Sequence, residues 1–268
     1  MSESPGPANR NVPLLVASGV VLVAAVVAIA VGVNGAANAT PTPLAQATAT
    51  PGQTPSESAA TTSTPTALNL PATPCSTASF GPTLQPLNQP SSVHTYSAAP
   101  AQTIDATKLY EMTITTAKGA IVLCLQPSLA PVTVNAIVTL ARNHFYDGIP
   151  FHRVCPNAAD NSCGGSLTVI QGGDPTCIDN VGGTGCGSGG PGFTFKDEPV
   201  NGNYVAGALA MANSGANTNG SQFFICSGDD SSLPKNYNLF GHVAGGAAVL
   251  PLIARGDVMQ SVTVTQQT

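Results

Sequence analysis

Between residues 105 and 268, apolar and polar positions alternate in short runs that are typical of β-strands. Residues 110–116 alternate, Lys118-Gly119 indicates a turn, and the apolar residues 120–125 resume a strand, so this stretch predicts a β-hairpin. Further strands are predicted at residues 205–213, 222–226, 239–243 and 258–265. Many short strands with few helices predict a mainly β domain. The pattern alone leaves both a barrel and a sandwich open.

Two helices are predicted within this domain. Pro131 is typical of a first helical position, and Val134, Ile137, Val138 and Ala141 follow the i, i+3, i+4, i+7 spacing of an amphipathic helix. A shorter helix is predicted at residues 247–254. It contains a proline at position 251, so it must begin near that residue or be kinked there. The glycine-rich residues 164–192 predict long loops.

The chain begins with a polar tail, residues 1–11, followed by an apolar run without charges at residues 12–33. At about 1.5 Å per residue, this run is long enough to cross the ~30 Å hydrocarbon core as a helix. It exceeds the roughly 7–15 residues of a signal-peptide core, which favours an uncleaved membrane anchor. Cleavage near Ala39, which would release the protein, remains the alternative. Arg10 places the N-terminal tail in the cytoplasm and the rest of the chain outside.

Residues 34–104 are mainly Thr, Pro, Ala and Ser, with Glu57 as the only charge. Such a composition buries little apolar surface, so we expect a disordered stalk between the membrane and a domain at residues 105–268. Only 8% of the chain is charged, against about a quarter in typical globular proteins. The net charge of −5 without a basic block argues against nucleic-acid binding.

The seven cysteines indicate an oxidising compartment. Two pairs bracket short segments and are expected to form disulfides: Cys155 with Cys163, and Cys177 with Cys186. The pairing of Cys75, Cys124 and Cys226 stays open, and one cysteine must remain unpaired in a monomer. The absence of Cys-x-x-Cys spacing argues against a metal site.

Three motifs contain most of the candidate chemistry: Phe151-His152-Arg153-Val154, Gln171-Gly172-Gly173-Asp174 and Asn217-Thr218-Asn219-Gly220-Ser221-Gln222-Phe223-Phe224. They combine an arginine and uncharged amides with phenylalanines and glycines, without an obvious nucleophile, base or metal cluster. With further motifs at residues 193–198, 209–213 and 239–243, the stretch from about Lys108 to Thr265 resembles the cyclophilin family of peptidyl-prolyl isomerases. The resemblance implies a closed, eight-stranded antiparallel barrel capped by two α-helices, with a substrate groove on one outer face.

The resemblance also assigns roles to individual residues. Arg153 matches the catalytic arginine of the family. The residues matched to hydrogen bonds with the substrate backbone are Gln171, Asn213 and Gln222. Those matched to the lining or border of the proline pocket are Val169, Met211, Phe224 and Leu233. The remaining matches are Ala212 and Ser214 beside Asn213, Gly183 in the adjoining loop, and Tyr237, where many members have histidine.

The sequence departs from the family pattern at the proline pocket. The segment between Arg153 and Gln171 is about ten residues longer than in compact members and includes two cysteines. Thr168 and Val169 replace an aromatic residue and a methionine, so we expect a less aromatic pocket. Ser232 stands at the position of a loop tryptophan linked to cyclosporin sensitivity, and therefore weak binding of that drug is expected.

Together these features predict a membrane-anchored, extracytoplasmic isomerase of X-Pro bonds in other proteins, with a monomeric domain and no cofactor, metal or nucleotide. Rotation about the X-Pro bond requires the loss of amide resonance, which creates a barrier of ~18–20 kcal/mol. A catalyst has to bind the twisted amide more tightly than either planar form. The alternative is a proline-peptide binding chaperone or adaptor with little turnover, which the altered pocket and the insertion leave open.

Overall fold

A computed structural model of the chain describes residues 68–87, 94–156, 163–164 and 166–268. These residues form one antiparallel sheet of nine strands, with the spatial order β1-β9-β2-β3-β8-β6-β7-β5-β4. The strands are β1 Phe80–Thr83, β2 Tyr110–Thr116, β3 Gly119–Leu125, β4 Arg153–Val154, β5 Val169–Gly172, β6 Ala208–Met211, β7 Phe223–Cys226, β8 Leu239–Gly245 and β9 Ser261–Gln267. The mainly β architecture expected from the pattern is confirmed.

The predicted hairpin is formed by β2 and β3, and it supplies one wall of the core. Every second residue of β2 points inward and lies directly opposite an inward residue of β3. These fully buried pairs are Tyr110 with Leu125, Met112 with Leu123, and Ile114 with Ile121. Burying an aliphatic side chain of this size contributes about 1.5–3 kcal/mol, so the alternation itself fixes the register of the two strands.

The first predicted helix is confirmed as α1, Pro131–Arg142, whose apolar face packs on β9, β2 and β8. Its first turn is capped by Glu198, whose carboxylate accepts hydrogen bonds from the N–H groups of Val132 (2.9 Å) and Thr133 (2.8 Å). A carboxylate at this end satisfies backbone donors that have no partner within the helix.

The second predicted helix, residues 247–254, is wrong. The structure has only a single 3-10 turn there, Leu250–Leu252, and the next residue, Ile253, is already extended. Pro251 within the turn has no N–H to donate, so a continuous hydrogen-bond ladder cannot form around it. The described residues therefore contain one α-helix.

The predicted closed barrel of eight strands is also corrected, because no ladder joins the edge strands β1 and β4 in the described residues. Just before β4 in the chain, an isolated bridge pairs Pro150 with Val258. Nearby, Phe151 N–H donates to Asp257 O and Gly256 N–H donates to Phe151 O, both at 2.8 Å. Since Pro150 lacks an N–H, this contact does not extend into a regular ladder.

The predicted disordered stalk, residues 34–104, is corrected for its described part. Strand β1 lies within this range and pairs with β9, and a disulfide joins Cys75 to Cys124 on β3. Closer to the domain, Tyr96 N–H donates to Pro191 O at 2.8 Å, and Thr103 N–H donates to Asn135 Oδ1 at 2.8 Å. The folded unit thus begins well before residue 105. Residues 34–67 and 88–93 lie outside the described residues.

Two further disulfides, Cys155–Cys163 and Cys177–Cys186, confirm both predicted pairs. Cys226 on β7 is a buried free thiol. Burial, together with the negative charge of Asp230, raises the pKa of the Cys226 thiol far above its ordinary range.

Within the described part of the chain, no helix combines the length and apolar character needed to cross a bilayer. The predicted tail at residues 1–11 and the predicted span at residues 12–33 lie outside it.

Candidate active site

Four neighbouring strands bring the central site residues into one row. Arg153 on β4 lies opposite Gln171 on β5, Gln171 lies opposite Phe224 on β7, and Phe224 lies opposite Ala210 on β6. Residues directly opposite each other point to the same face of a sheet. The motifs that are 70 residues apart in sequence therefore meet because of strand register.

A cavity of about 360 Å³ opens beside Arg153. Eight of the predicted site residues line it: Arg153, Val169, Gln171, Ala212, Asn213, Phe224, Leu233 and Tyr237. Two lining residues, Gly164 and Leu167, were not predicted. Apart from the guanidinium and the amides, the wall consists of aliphatic and aromatic groups, which is the usual character of a small-ligand pocket.

Aromatic contacts hold the apolar wall in place. The ring of Phe224 meets the ring of Tyr237 edge-on at 5.6 Å and lies 6.2 Å from the ring of Tyr204. Tyr204 is fully buried, and its hydroxyl donates to Tyr237 O at 2.8 Å. Burial raises the pKa of Tyr204 above its ordinary value, so this hydroxyl keeps its proton and remains a donor.

A chain of side-chain hydrogen bonds leads from Arg153 along the groove. Arg153 Nη1 donates to Gln171 Oε1 at 3.2 Å, and Gln171 Nε2 donates to Gln222 Oε1 at 3.0 Å. Gln222 Nε2 in turn donates to Gly189 O at 2.8 Å. The amides thus orient one another. The direction of these hydrogen bonds assigns the oxygen and the nitrogen of each amide to definite positions along the groove.

The fully buried carboxylate of Asp174 anchors the far end of this chain. Its Oδ2 accepts the N–H groups of Gly187 (2.7 Å) and Gly189 (2.8 Å), and its Oδ1 accepts the Thr176 N–H at 2.8 Å. Gly173, just before it, has φ of 91°, and a side chain there would collide with the backbone of Ser221. Asp174 was outside the predicted site, although it stands in one of the quoted motifs.

A second cavity of about 540 Å³ adjoins the first and shares Gln171, Ala212 and Asn213 with it. Ser214 and Gln222 line this second cavity, together with the glycine-rich loop at residues 187–192. Asn213 stands between the two cavities, and its Nδ2 donates to Asn236 O at 2.7 Å. The two cavities together form an elongated groove across the strand ends.

Two predicted site residues lie elsewhere. Met211 is fully buried opposite Phe223 on the core side of the sheet, because it follows Ala210 and successive residues of a strand face opposite ways. Gly183 lies inside the loop closed by Cys177–Cys186 and lines neither cavity.

Among the residues that the structure describes, no cluster of three or more His, Cys, Asp or Glu side chains is arranged to hold a metal ion.

The fold and the groove define a class of protein with a recognised sequence signature. Residues 111–268 match the family described as cyclophilin type peptidyl-prolyl cis-trans isomerase/CLD. Because this match covers more than half of the chain, the protein belongs to that family and is a peptidyl-prolyl cis-trans isomerase of the cyclophilin type. The part of the folded unit before residue 111 lies outside the match.

Two sequence relatives agree with this assignment, and one solved structure is reported beside them for its likeness alone. The chain is 41% identical over 143 residues to peptidyl-prolyl cis-trans isomerase B of Bacillus subtilis, covering 52% of this chain and 87% of the relative. It is 38% identical over 154 residues to a peptidyl-prolyl cis-trans isomerase of Helicobacter pylori, covering 56% and 83%. A crystal structure of a Cryptosporidium parvum cyclophilin type isomerase aligns with a TM-score of 0.48 and 26% identity, covering 58% of this chain and 97% of that one.

Proposed function

We propose that Arg153 is the catalytic residue of this isomerase and that the 360 Å³ cavity beside it holds the substrate's proline ring. The observation that carries this proposal is that Arg153 lines a cavity whose remaining wall consists of two amide side chains and of aliphatic and aromatic groups. An apolar socket retains the ring during rotation, while the cation contacts the amide that rotates.

The physical argument follows from the twisted amide. When resonance is lost, the prolyl nitrogen regains a lone pair and becomes a hydrogen-bond acceptor, which it is not in either planar form. A guanidinium is always charged and presents its donors in a rigid fork. Since Arg153 also donates to Gln171 Oε1 at 3.2 Å, its orientation is set before the substrate arrives. Donors placed in advance stabilise a transition state without a reorganisation cost.

The other groove residues have binding roles in this proposal. Phe224, Val169, Leu233 and Tyr237 enclose the ring, and the polypeptide on either side lies along residues 212–214 with Gln171 and Gln222. Holding both flanks confines the rotation to one bond. The resulting X-Pro isomerisation needs no proton transfer, covalent intermediate or cofactor.

A protease-coupled assay on an X-Pro peptide tests the catalytic role. Arg153→Ala should lower kcat/KM by about 100-fold, the usual cost of removing a preorganised transition-state donor, while the circular dichroism spectrum stays that of the parent. Arg142→Ala, at the end of α1, is the matched control and should keep full activity. Unchanged activity in Arg153→Ala would sink the proposal. Peptide binding without acceleration by the parent protein would instead favour a chaperone or adaptor.

We also propose that the enzyme works outside the cytoplasm as a monomer, tethered to the membrane by residues 12–33, and assists the folding of secreted or envelope proteins. Three disulfides in the folded unit support an oxidising compartment. The uncharged apolar run supports the tether. Mass analysis of mature protein from membranes tests it, because a chain beginning near Thr40 would mean cleavage and release.

A further inference from the structure

The proline cavity has a wall that the family resemblance does not account for. Leu167 and Gly164 line it, and both come from the segment between Arg153 and Gln171, where the sequence is expected to depart from the family pattern. Leu167 is half-buried and packs against the apolar cluster that contains Phe224 and Val169. An aliphatic side chain thus stands at the socket, whereas the resemblance pointed to Thr168 and Val169 as the altered positions.

Thr168 itself is turned away from the cavity and fixes its neighbour. Its N–H donates to Asp230 Oδ1 at 2.9 Å and its hydroxyl donates to Asp230 Oδ2 at 2.8 Å. In addition, Thr168 O accepts the Ser227 N–H at 2.7 Å. Since the backbone and the side chain of Thr168 are both hydrogen-bonded, the adjoining Leu167 has little freedom to move out of the wall.

Asp230 connects this wall to the facing one. Only 3% of the residue is exposed, its N–H donates to Tyr204 O at 2.8 Å, and its carbonyl accepts the Leu233 N–H at 2.9 Å. Leu233 lines the same cavity. Residue 230 therefore contacts Thr168 through its carboxylate and Leu233 through its backbone carbonyl.

The Cys155–Cys163 disulfide holds the beginning of the same wall. Cys155 directly follows β4, and its N–H donates to Val169 O at 2.8 Å. Its bond to Cys163 therefore attaches the residue directly before Gly164 to the edge of the sheet.

We propose that Leu167 contacts the substrate's ring and sets the ring size that the isomerase accepts, and that Asp230 is a positioning residue that holds Leu167 through Thr168. This inference rests on the proposed use of the cavity for proline. A wall that touches the ring in the planar and twisted states alike contributes uniform binding, which lowers KM without changing kcat.

The test compares peptides that carry proline with peptides that carry its six-membered homologue, pipecolic acid. Leu167→Ala should raise KM for the proline peptide about three- to tenfold with kcat within twofold. It should also shift the kcat/KM ratio at least threefold towards the larger ring, because the socket is widened. Leu252→Ala, an exposed leucine in the 3-10 turn at residues 250–252, should change neither quantity. An unchanged KM and an unchanged ring preference in Leu167→Ala would overturn the proposal.

The positioning role is tested by rescue. Asp230→Ala should reproduce the effect of Leu167→Ala on KM and ring preference, whereas Asp230→Asn should restore both, since its amide can accept the Thr168 N–H and donate to the hydroxyl oxygen. If Asp230→Ala fails to fold, Thr168→Val removes one of the two bonds and should give a smaller shift in the same direction. Parent-like ring preference in Thr168→Val and in any folded Asp230→Ala would refute the role of Asp230.

The outcome for Arg153→Ala separates this inference from the proposed function. If Arg153→Ala is inactive and Leu167→Ala resembles the parent, only the ring-size inference fails. If Arg153→Ala is fully active, the proposed catalytic role fails whatever the Leu167 variant does.

Discussion

Removing the Cys75–Cys124 disulfide tests whether the residues before the family match are part of the folded unit. This disulfide joins the segment preceding β1 to the central hairpin strand β3. Both cysteines are buried, with 5% and 0% exposure. The appropriate change is therefore the double variant Cys75→Ala/Cys124→Ala, because serine at these positions would bury two hydroxyl groups. If residues 68–87 were a loose stalk, the link would restrain nothing.

The expected loss follows from the length of the closed loop. The two cysteines are 49 residues apart, and a cross-link of that span lowers the entropy of the unfolded chain by an amount worth about 4 kcal/mol at 25 °C. The Cys155–Cys163 link spans 8 residues and by the same relation is worth about 2.5 kcal/mol. Folded domains are stable by only about 5–15 kcal/mol, so both losses are large enough to measure.

Urea unfolding followed by far-UV circular dichroism measures the difference in free energy of unfolding. The Cys75→Ala/Cys124→Ala variant should lose about 4 kcal/mol and melt roughly 8–16 °C earlier, at 2–4 °C per kcal/mol for a domain of this size. Cys155→Ala/Cys163→Ala is the matched control. A loss at positions 75 and 124 that is no larger than the control's would contradict the placement of residues 68–87 in the fold.

Three further predictions concern the pocket and the pH response. Because only Phe224 faces the cavity, Phe224→Leu should lower kcat/KM about tenfold and Phe223→Leu less than twofold. Each substitution should cost about 1–1.5 kcal/mol of stability. Equal kinetic losses would contradict the assigned faces. Burial lowers the pKa of His242 from its ordinary 6.5, so the unfolded state binds the proton more readily. The contribution of the neutral His242 to stability is therefore fully present above about pH 6.5 and is lost as the pH falls below that value. His242→Gln should reduce the drop in melting temperature between pH 7 and 5. An identical drop in the variant would exclude His242 as its source. Ser232→Trp should strengthen cyclosporin binding at least tenfold in calorimetric titration, and no change would mean that another residue limits the affinity.

The sequence was sufficient where a local pattern determines the structure. The hairpin of β2 and β3 follows from the alternation of residues 110–116, the turn at Lys118-Gly119 and the apolar run after it, and α1 follows from an apolar stripe that begins at Pro131. Residues 80–83, in contrast, read Phe-Gly-Pro-Thr and carry no alternation. They form an edge strand because β9 has an unpaired side, and an edge tolerates proline. Such a strand depends on tertiary context that no local pattern contains.

The motifs indicate which residues belong to the region of the site, but they do not determine which face of the sheet each side chain occupies. The family resemblance locates Arg153, Gln171 and Phe224 residue by residue, and strand register brings these three residues into one row. Met211 was assigned to the pocket although register places it opposite Phe223 in the core. A shift of one residue along a strand reverses the side that a residue faces, and register depends on pairing with distant strands. Leu167 was not among the predicted site residues, because the motifs that carry the family resemblance end at residue 154 and resume at residue 171.

The cross-links explain how long segments beside the groove are compatible with a defined cavity. Cys155–Cys163 lies beside Arg153 and the proline cavity, and Cys177–Cys186 lies beside Asp174 and the glycine-rich loop of the second cavity. Ordering a longer loop costs additional conformational entropy. If the loop became ordered only when the substrate arrives, that cost would reduce the free energy of binding. Since a short cross-link lowers the entropy of the unfolded chain by an amount worth about 2.5 kcal/mol, part of the cost of holding Gly164 and residues 187–192 beside the groove is met at folding. The affinity of the groove for proline peptides should therefore depend on the oxidised state of both links, even though neither disulfide touches the proposed ring.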